Sequence, residues 1–212
     1  MTGSEDALCL ENVSIRLEDR ILIDINQKIQ PGDVLTVMGL SGSGKSTLLA
    51  YIAGFLDPVF QASGRIMLGG GDITGKPAEH RQVGLLFQDP LLFPHMSVGQ
   101  NLLFAVRAGD QDKRQGKVND ALEQAGLADM QDRDPATLSG GQKARAALMR
   151  VLLSEPRALL LDEPFSRLDA DRRSRIREFV FAEARRRRLP VLLVTHDQED
   201  AEQAGGSVFK LD

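Results

Sequence analysis

The sequence predicts an α/β fold with an antiparallel β edge and an inserted helical subdomain. Three observations carry this expectation. Apolar and polar residues alternate from Leu8 to Gln30; three short runs, Val34 to Met38, Ala158 to Leu161 and Val191 to Thr195, are almost wholly apolar; and between Asp89 and Glu155 the pattern turns helical. Alternation marks a strand with one face on the core, and an unbroken apolar run marks a strand buried on both faces. At 212 residues, with 42% hydrophobic and 26% charged side chains, the chain has room for a sizeable core and the composition of an ordinary globular protein.

Val13, Ile15 and Leu17, then Ile21, Ile23 and Ile25, with Glu18-Asp19-Arg20 as the turn, predict an antiparallel hairpin that Pro31-Gly32-Asp33 ends. The strand Val34 to Met38 runs into a glycine loop, and a helix follows over Lys45 to about Phe55. Short strands are expected at Gly64 to Leu68 and Val83 to Phe87, with Gly69-Gly70-Gly71 in the coil between them. In the helical stretch Ser97 with Gln100, and Ser139 with Gln142, are spaced as capping boxes, and Gly126 is a helix stop. A helix from about Asp169 to Arg188 separates the last two apolar strands. Its arginines Arg185 to Arg188 read as a solvated helix end, where cations suit the macrodipole, before Pro190. The expected division is a core of 1–88 and 157–212 and a helical subdomain of 89–156.

Several function classes are disfavoured by composition. With 26 basic and 30 acidic residues, net −4, there is no global electrostatic reason to bind nucleic acid or anionic lipid. No apolar stretch approaches the roughly 20 residues of a membrane-spanning helix. Cys9 is the only cysteine, which excludes an internal disulfide, and Met1 to Asp6 lacks a signal-peptide pattern. A cytoplasmic location is expected.

The chemistry lies in local clusters. Gly39-Leu40-Ser41-Gly42-Ser43-Gly44-Lys45-Ser46-Thr47 fits G-x-x-x-x-G-K-[ST] between an expected strand and an expected helix. Glycines let successive N–H groups turn toward phosphate oxygens, the helix N-terminus adds positive potential, Lys45 suits the β and γ phosphates, and the Ser46 hydroxyl suits Mg²⁺. The core is therefore expected to be a P-loop NTPase. The strand Ala158 to Leu161 runs into Asp162-Glu163, one carboxylate suited to a metal and the other to water, at the sheet edge where α/β folds bind ligands. Leu138-Ser139-Gly140-Gly141-Gln142 is at once a helix cap and a second anion-binding helix end.

The phosphate loop, Gln88, Leu138 to Gln142, Leu159 to Glu163, Ser166 to Asp169 and His196 occur in the order of the ATP-binding subunits of ABC transporters, which the chain resembles over nearly its whole length. The resemblance implies an Mg²⁺-dependent ATPase working as a head-to-tail homodimer, in which the phosphate loop of one copy faces Ser139, Gly141 and Gln142 of the other across ATP. It implies that Gln88 ligands Mg²⁺ or the attacking water and senses the membrane subunit, that His196 bonds the γ-phosphate, and that Asp169 crosses the dimer interface. Asp169 is equally a good N-cap for the helix that follows. His80 and His95 match none of the family's catalytic positions.

The resemblance further implies separate transmembrane permease subunits docking at Asp89 to Val98, where Leu91, Leu92, Phe93 and Met96 form an apolar cluster, and a solute-binding protein in the complex. The location it implies is the cytoplasmic face of the inner membrane. Among importers the chain looks most like the small ones for thiamine or similar solutes. An exporter or lipoprotein-release ATPase is the alternative within transport, and a mechanical ATPase on DNA or ribosomes is the alternative outside it. Two departures stand out. The sequence ends at Asp212, sixteen residues after His196, so the regulatory domain that many of the family's importers carry is expected to be absent, and the usual terminal helices look truncated. The family's base-stacking aromatic is matched by Leu17, and no aromatic precedes Tyr51; the planar guanidinium of Arg16 is a substitute stacking surface.

Overall fold

The computed structural model describes residues 6–40, 42–166, 168 and 170–211. β1 (Leu8–Leu17) and β2 (Arg20–Ile29) form the expected hairpin, with Ile15 opposite Ile23 and Leu17 opposite Arg20. β3 (Val34–Met38) leads to α1 (Lys45–Ala53). The chain returns as β4 (Phe60–Leu68), antiparallel to β1, and β5 (Gly71–Asp72), completing a four-stranded sheet ordered β2-β1-β4-β5. β4 starts four residues before the expected Gly64. Residues 61–63 are all exposed, so they carry no apolar alternation to announce a strand. Gly64 itself faces a bulge in β1. Its φ is 91°, and a Cβ there would collide with the Asn12 carbonyl, so only glycine fits.

The second sheet has the order β6-β7-β8-β3-β9, built from β6 (Val83–Leu86), β7 (Ala158–Asp162), β8 (Val191–Thr195) and β9 (Ser207–Lys210) around β3. β8 and β9 flank β3 in parallel, and β7 runs parallel to β8. Burial explains the unbroken apolar runs: every residue of β8, and all but the last of β3 and β7, is buried. The parallel register puts Met38, Asp162 and Thr195 at one carboxyl edge, so the loops after them converge.

α1 buries Leu48, Leu49 and Ile52 almost completely. Expected to reach Phe55, it stops at Ala53, where buried Arg81 donates to the Tyr51 and Ile52 carbonyls at 2.7 and 3.0 Å and also to those of Thr74 and Lys76. A cation on the last carbonyls of a helix satisfies orphan acceptors and complements the dipole. α6 (Gln198–Ala204) and β9 were not among the elements expected after His196. Asp197 caps α6, accepting from the Glu199 N–H at 2.8 Å, and β9 joins the free side of β3.

The chain divides into two compact units: Met1–Leu85, Arg157–Glu163 and Phe181–Asp212, which hold both sheets; and Leu86–Pro156 with Pro164–Val180. The second contains α2 (Val98–Ala105), α3 (Gln111–Gln124), α4 (Gly140–Leu153) and most of α5 (Ala170–Arg186). Both expected capping boxes are present, at Ser97 with Gln100 and at Ser139 with Gln142. α5 was expected to reach Arg188 and ends at Arg186. Arg185 donates to the Ala204 carbonyl at 2.8 Å, and Arg186 and Arg187 pair with Glu183. No helix among the described residues is long and apolar enough to cross a membrane.

Candidate functional site

The loop between β3 and α1 is built to receive an anion. Gly44 caps α1 with φ 92° and no side-chain hydrogen bond, and a Cβ there would stand 3.2 Å from Leu22 Cβ on β2. A left-handed N-cap without a capping side chain leaves the first N–H groups of the helix for a ligand. The Lys45 ammonium donates to the Gly39 and Leu40 carbonyls at 2.9 and 2.8 Å, which holds it at the mouth of the loop although the residue is only 6% exposed. Ser43 Oγ is buried with no hydrogen-bond partner among the described residues. A buried hydroxyl costs free energy until something bonds it, and a phosphate oxygen is the kind of acceptor that would. Thr47 is half-buried in the first turn and Gly42 lies open at the loop's rim. Ser41 lies outside the described residues.

Two neighbouring strand ends supply the carboxylates. The Ser46 hydroxyl donates to Asp162 Oδ1 at 3.1 Å, joining the loop to the end of β7. Burial pushes the Asp162 carboxyl above its usual range, Glu163 pushes it further, and the Ser46 bond and Lys45 oppose. Glu163 follows in the left-handed region, φ 44°, its N–H bonded to the Val194 carbonyl at 2.9 Å. Such a conformation costs a side chain of this kind about 1–3 kcal/mol and is held by its surroundings, here β8. His196 Nδ1 lies 3.1 Å from Glu163 Oε1, the imidazole N–H donating. Gly39, Leu40, Glu163 and His196 line one cavity of about 590 Å³. Among the described residues no group of three or more His, Cys, Asp or Glu is placed to hold a metal ion. The oxygen pair of Ser46 and Asp162 suits Mg²⁺, which takes one or two protein ligands beside substrate phosphates.

The second unit carries the other helix end. Ser139 Oγ accepts from the Gln142 N–H at 3.3 Å, and Gln142 Oε1 accepts from the Ser139 N–H at 2.8 Å. Gly141, the second residue of α4, is buried, and a Cβ there would stand 3.6 Å from Ile176 Cδ1. Ser139, Gly141 and Gln142, with Arg145 and Arg175, line a cavity of about 560 Å³. Gln88, in the same unit, donates from Nε2 to Ser166 Oγ at 3.0 Å. Asp169 lies outside the described residues.

An anion cradle at a helix N-terminus, an oxygen pair for a divalent cation and a carboxylate bonded to an imidazole together suit phosphoryl transfer to water. Residues 22–166 match the model of the ABC transporter family. The chain belongs to that family. It is 51% identical over 195 residues to the uncharacterized ABC transporter ATP-binding protein YnjD of Escherichia coli (strain K12), covering 91% of this chain and 90% of that one. It is 40% identical over 209 residues to the thiamine import ATP-binding protein ThiQ of Jannaschia sp. (strain CCS1), covering 97% and 89%. To the Fe(3+) ions import ATP-binding protein FbpC of Rhizobium etli it is 42% identical over 180 residues, 84% of this chain and only 50% of the relative. Among solved structures, that of cbiO1 from Clostridium perfringens, part of the ABC transporter complex cbiONQ, superposes with a TM-score of 0.85 at 31% identity, covering 98% of this chain and 85% of that one. The P-loop NTPase fold is thereby established, and as an ABC ATP-binding protein the chain is an ATPase.

In this ABC ATPase the segment after Gln88 is held by two residues that the sequence pattern does not single out. Asn101, fully buried, takes the Phe93 N–H on Oδ1 at 2.7 Å and donates Nδ2 to the Phe93, Met96 and Ser97 carbonyls. Arg150 donates to the Leu91 and Pro90 carbonyls and stacks its guanidinium 5.0 Å from the Phe93 ring centroid. Phe104 meets Phe93 edge to face at 5.1 Å and is 64% exposed; Leu91 is 52% exposed. An asparagine on a helix that reads as apolar was the available signal for Asn101; Arg150 and Phe104 had none. His95 is exposed beside the Phe93 ring and His80 is exposed in a 3₁₀ turn. On β1, Leu17 is half-buried and Arg16 lies on the opposite face of the sheet.

Proposed function

We propose that this chain is the ATP-hydrolysing subunit of an importer, acting as a head-to-tail pair of identical copies on separate membrane subunits at the cytoplasmic face of the inner membrane. The observation that carries the catalytic part is the convergence of the phosphate loop, the Ser46–Asp162 pair and the Glu163–His196 pair on one sheet edge. In this reading the loop N–H groups, Lys45 and Ser43 hold the phosphates, and Glu163 takes a proton from the attacking water. As an imidazolium, His196 orients the carboxylate through Nδ1–H and has Nε2–H left to donate to the γ-phosphate. Ser46 and Asp162 would hold Mg²⁺, which when bound neutralises charge developing on the phosphates. The capped end of α4, with Ser139, Gly141 and Gln142, and Asp169 act on ATP held by the other copy, and Gln88 links the site to the membrane partner.

Import is supported by the relatives named for thiamine and Fe(3+) uptake; the first of these is nearly coextensive with this chain, which favours a small thiamine-like solute. Recognition of that solute belongs to the membrane subunits and a solute-binding protein. The loop pinned by Asn101 and Arg150, with exposed Leu91 and Phe104 beside it, is the docking surface for the permease. Purification of the tagged chain from detergent-solubilised membranes tests the reading. Multi-span membrane subunits are expected to co-purify, Leu91→Glu to release them with ATP binding intact, and the reconstituted complex to take up solute only with MgATP. Recovery with nucleic acid or ribosomes instead would overturn it.

A further inference from the structure

The phosphate loop accounts for a triphosphate and leaves open what holds the base. The contact of Gly44 with Leu22 and Ile23 shows that the β1–β2 hairpin borders the loop. A nucleotide with its phosphates in the loop can extend its base toward the end of that hairpin, where β1 and β2 offer Arg16, Leu17 and Arg20 and no ring. The unexpected start of β4 changes what lies there. Residues Phe60, Gln61, Ala62 and Ser63 pair with Leu17, Arg16, Ile15 and Ser14 in unbroken register. Directly opposed residues of an antiparallel pair share a face at about 4.5–5.5 Å between Cβ atoms. Phe60 and Leu17 therefore stand side by side on the face that buries Ile15, and Arg16 and Gln61 take the other. Phe60 packs on the edge of the core and remains half-buried.

The other rings of this unit are committed elsewhere. Tyr51 is buried and donates its hydroxyl to the Gly64 carbonyl at 3.3 Å; Phe181 is 1% exposed; Phe209 belongs to the second sheet, opposite Val37. Phe55 lies beyond the C-terminus of α1, roughly 13 Å of helix rise from the phosphate end. We propose that Phe60 supplies the ring on which the nucleotide base rests, with Leu17 as its aliphatic neighbour, so that the aromatic missing from β1 is provided by the strand paired with it. This rests on the loop being the nucleotide site.

The test compares MgATP with magnesium tripolyphosphate, which has the phosphates and no base, by calorimetric titration of wild type, Phe60→Leu and Phe60→Tyr. Phe60→Leu keeps apolar bulk and should weaken MgATP about tenfold while leaving tripolyphosphate unchanged. Phe60→Tyr should bind MgATP as wild type does. Equal weakening of both ligands in Phe60→Leu would mean a structural role and overturn the proposal, as would unchanged MgATP affinity. If wild type bound neither ligand, the nucleotide-site reading itself would have failed, a result distinct from the other two.

Discussion

Helices α1 and α4 both begin with glycine-rich segments, and their N-termini solve the same problem in opposite ways. α4 closes its own end: Ser139 and Gln142 exchange two hydrogen bonds, a box worth about 0.5–2 kcal/mol. α1 has Gly44 in place of a capping side chain and leaves Ser43 Oγ buried without a partner among the described residues. Glycine there forgoes only a few tenths of a kcal/mol of capping, and burial of Leu48, Leu49 and Ile52 at roughly 1.5–3 kcal/mol each outweighs that loss. Arg81 adds a clamp at the far end. An open helix end is thus affordable where the rest of the helix is core, and it is the open end that is built to hold a ligand. The capped end stands complete without one, which fits a surface that meets ATP only when a second copy presents it.

The largest expected effect lies at the open end. Glu163→Gln keeps shape and removes the charge proposed to take the proton from water, so turnover should fall by about 10²–10⁴-fold with MgATP binding retained. The stalled species should be a dimer by size-exclusion chromatography in MgATP. A monomer at every nucleotide concentration with full hydrolysis would break the two-copy reading.

Next come the variants that set one helix end against the other. Lys45→Ala should lose nucleotide binding, whereas Ser139→Ala should bind MgATP nearly as wild type does and lose hydrolysis. Mixing these two inactive proteins should restore part of the activity, because a mixed dimer retains one complete site. No recovery where wild type dimerises would mean that each copy uses its own Ser139.

Stability separates the two ends more finely. Ser139→Ala removes half of the α4 box and should cost about 1 kcal/mol, a fall of roughly 3 °C in melting temperature for a chain of this size. Ser43→Ala removes a hydroxyl that bonds nothing among the described residues, so it should leave melting unchanged or raise it while weakening MgATP. Equal melting losses in the two would erase the distinction between an open and a closed end.

What the sequence made legible follows the range of the forces involved. The hairpin, the three buried strands and both capping boxes were readable because each depends on residues within a few positions of one another, and β3 has the bounds its apolar run announces. β9 was not, since its four residues are strand only because β3, some 170 positions earlier, offers a free edge. The same holds for Phe60 and its exposed successors, whose strand character comes from pairing with β1. In the site, residues inside short motifs were recognisable. Arg81, Asn101 and Arg150 were not, because each serves carbonyls that only the fold brings within reach.

The smallest expected effect concerns the base. In the proposed site the open end of α1 grips phosphates, which are the same in every nucleoside triphosphate, and supplies most of the affinity. The faces offered beyond it are the aliphatic Leu17 and the ring of Phe60, and stacking on a ring is tolerant of which base is stacked. Selectivity between purines would require directed donors or acceptors at the base edge, and neither side chain has any. ATP and GTP should therefore bind within a few-fold of each other. Leu17→Tyr should tighten both by up to about tenfold by adding a second ring beside Phe60. Titration of both nucleotides against the wild type and this variant checks it. A large preference for ATP, or a tyrosine that tightens only one of the two, would mean that a polar group elsewhere reads the base edge and that the contrast between a gripping phosphate end and an indifferent base end is wrong.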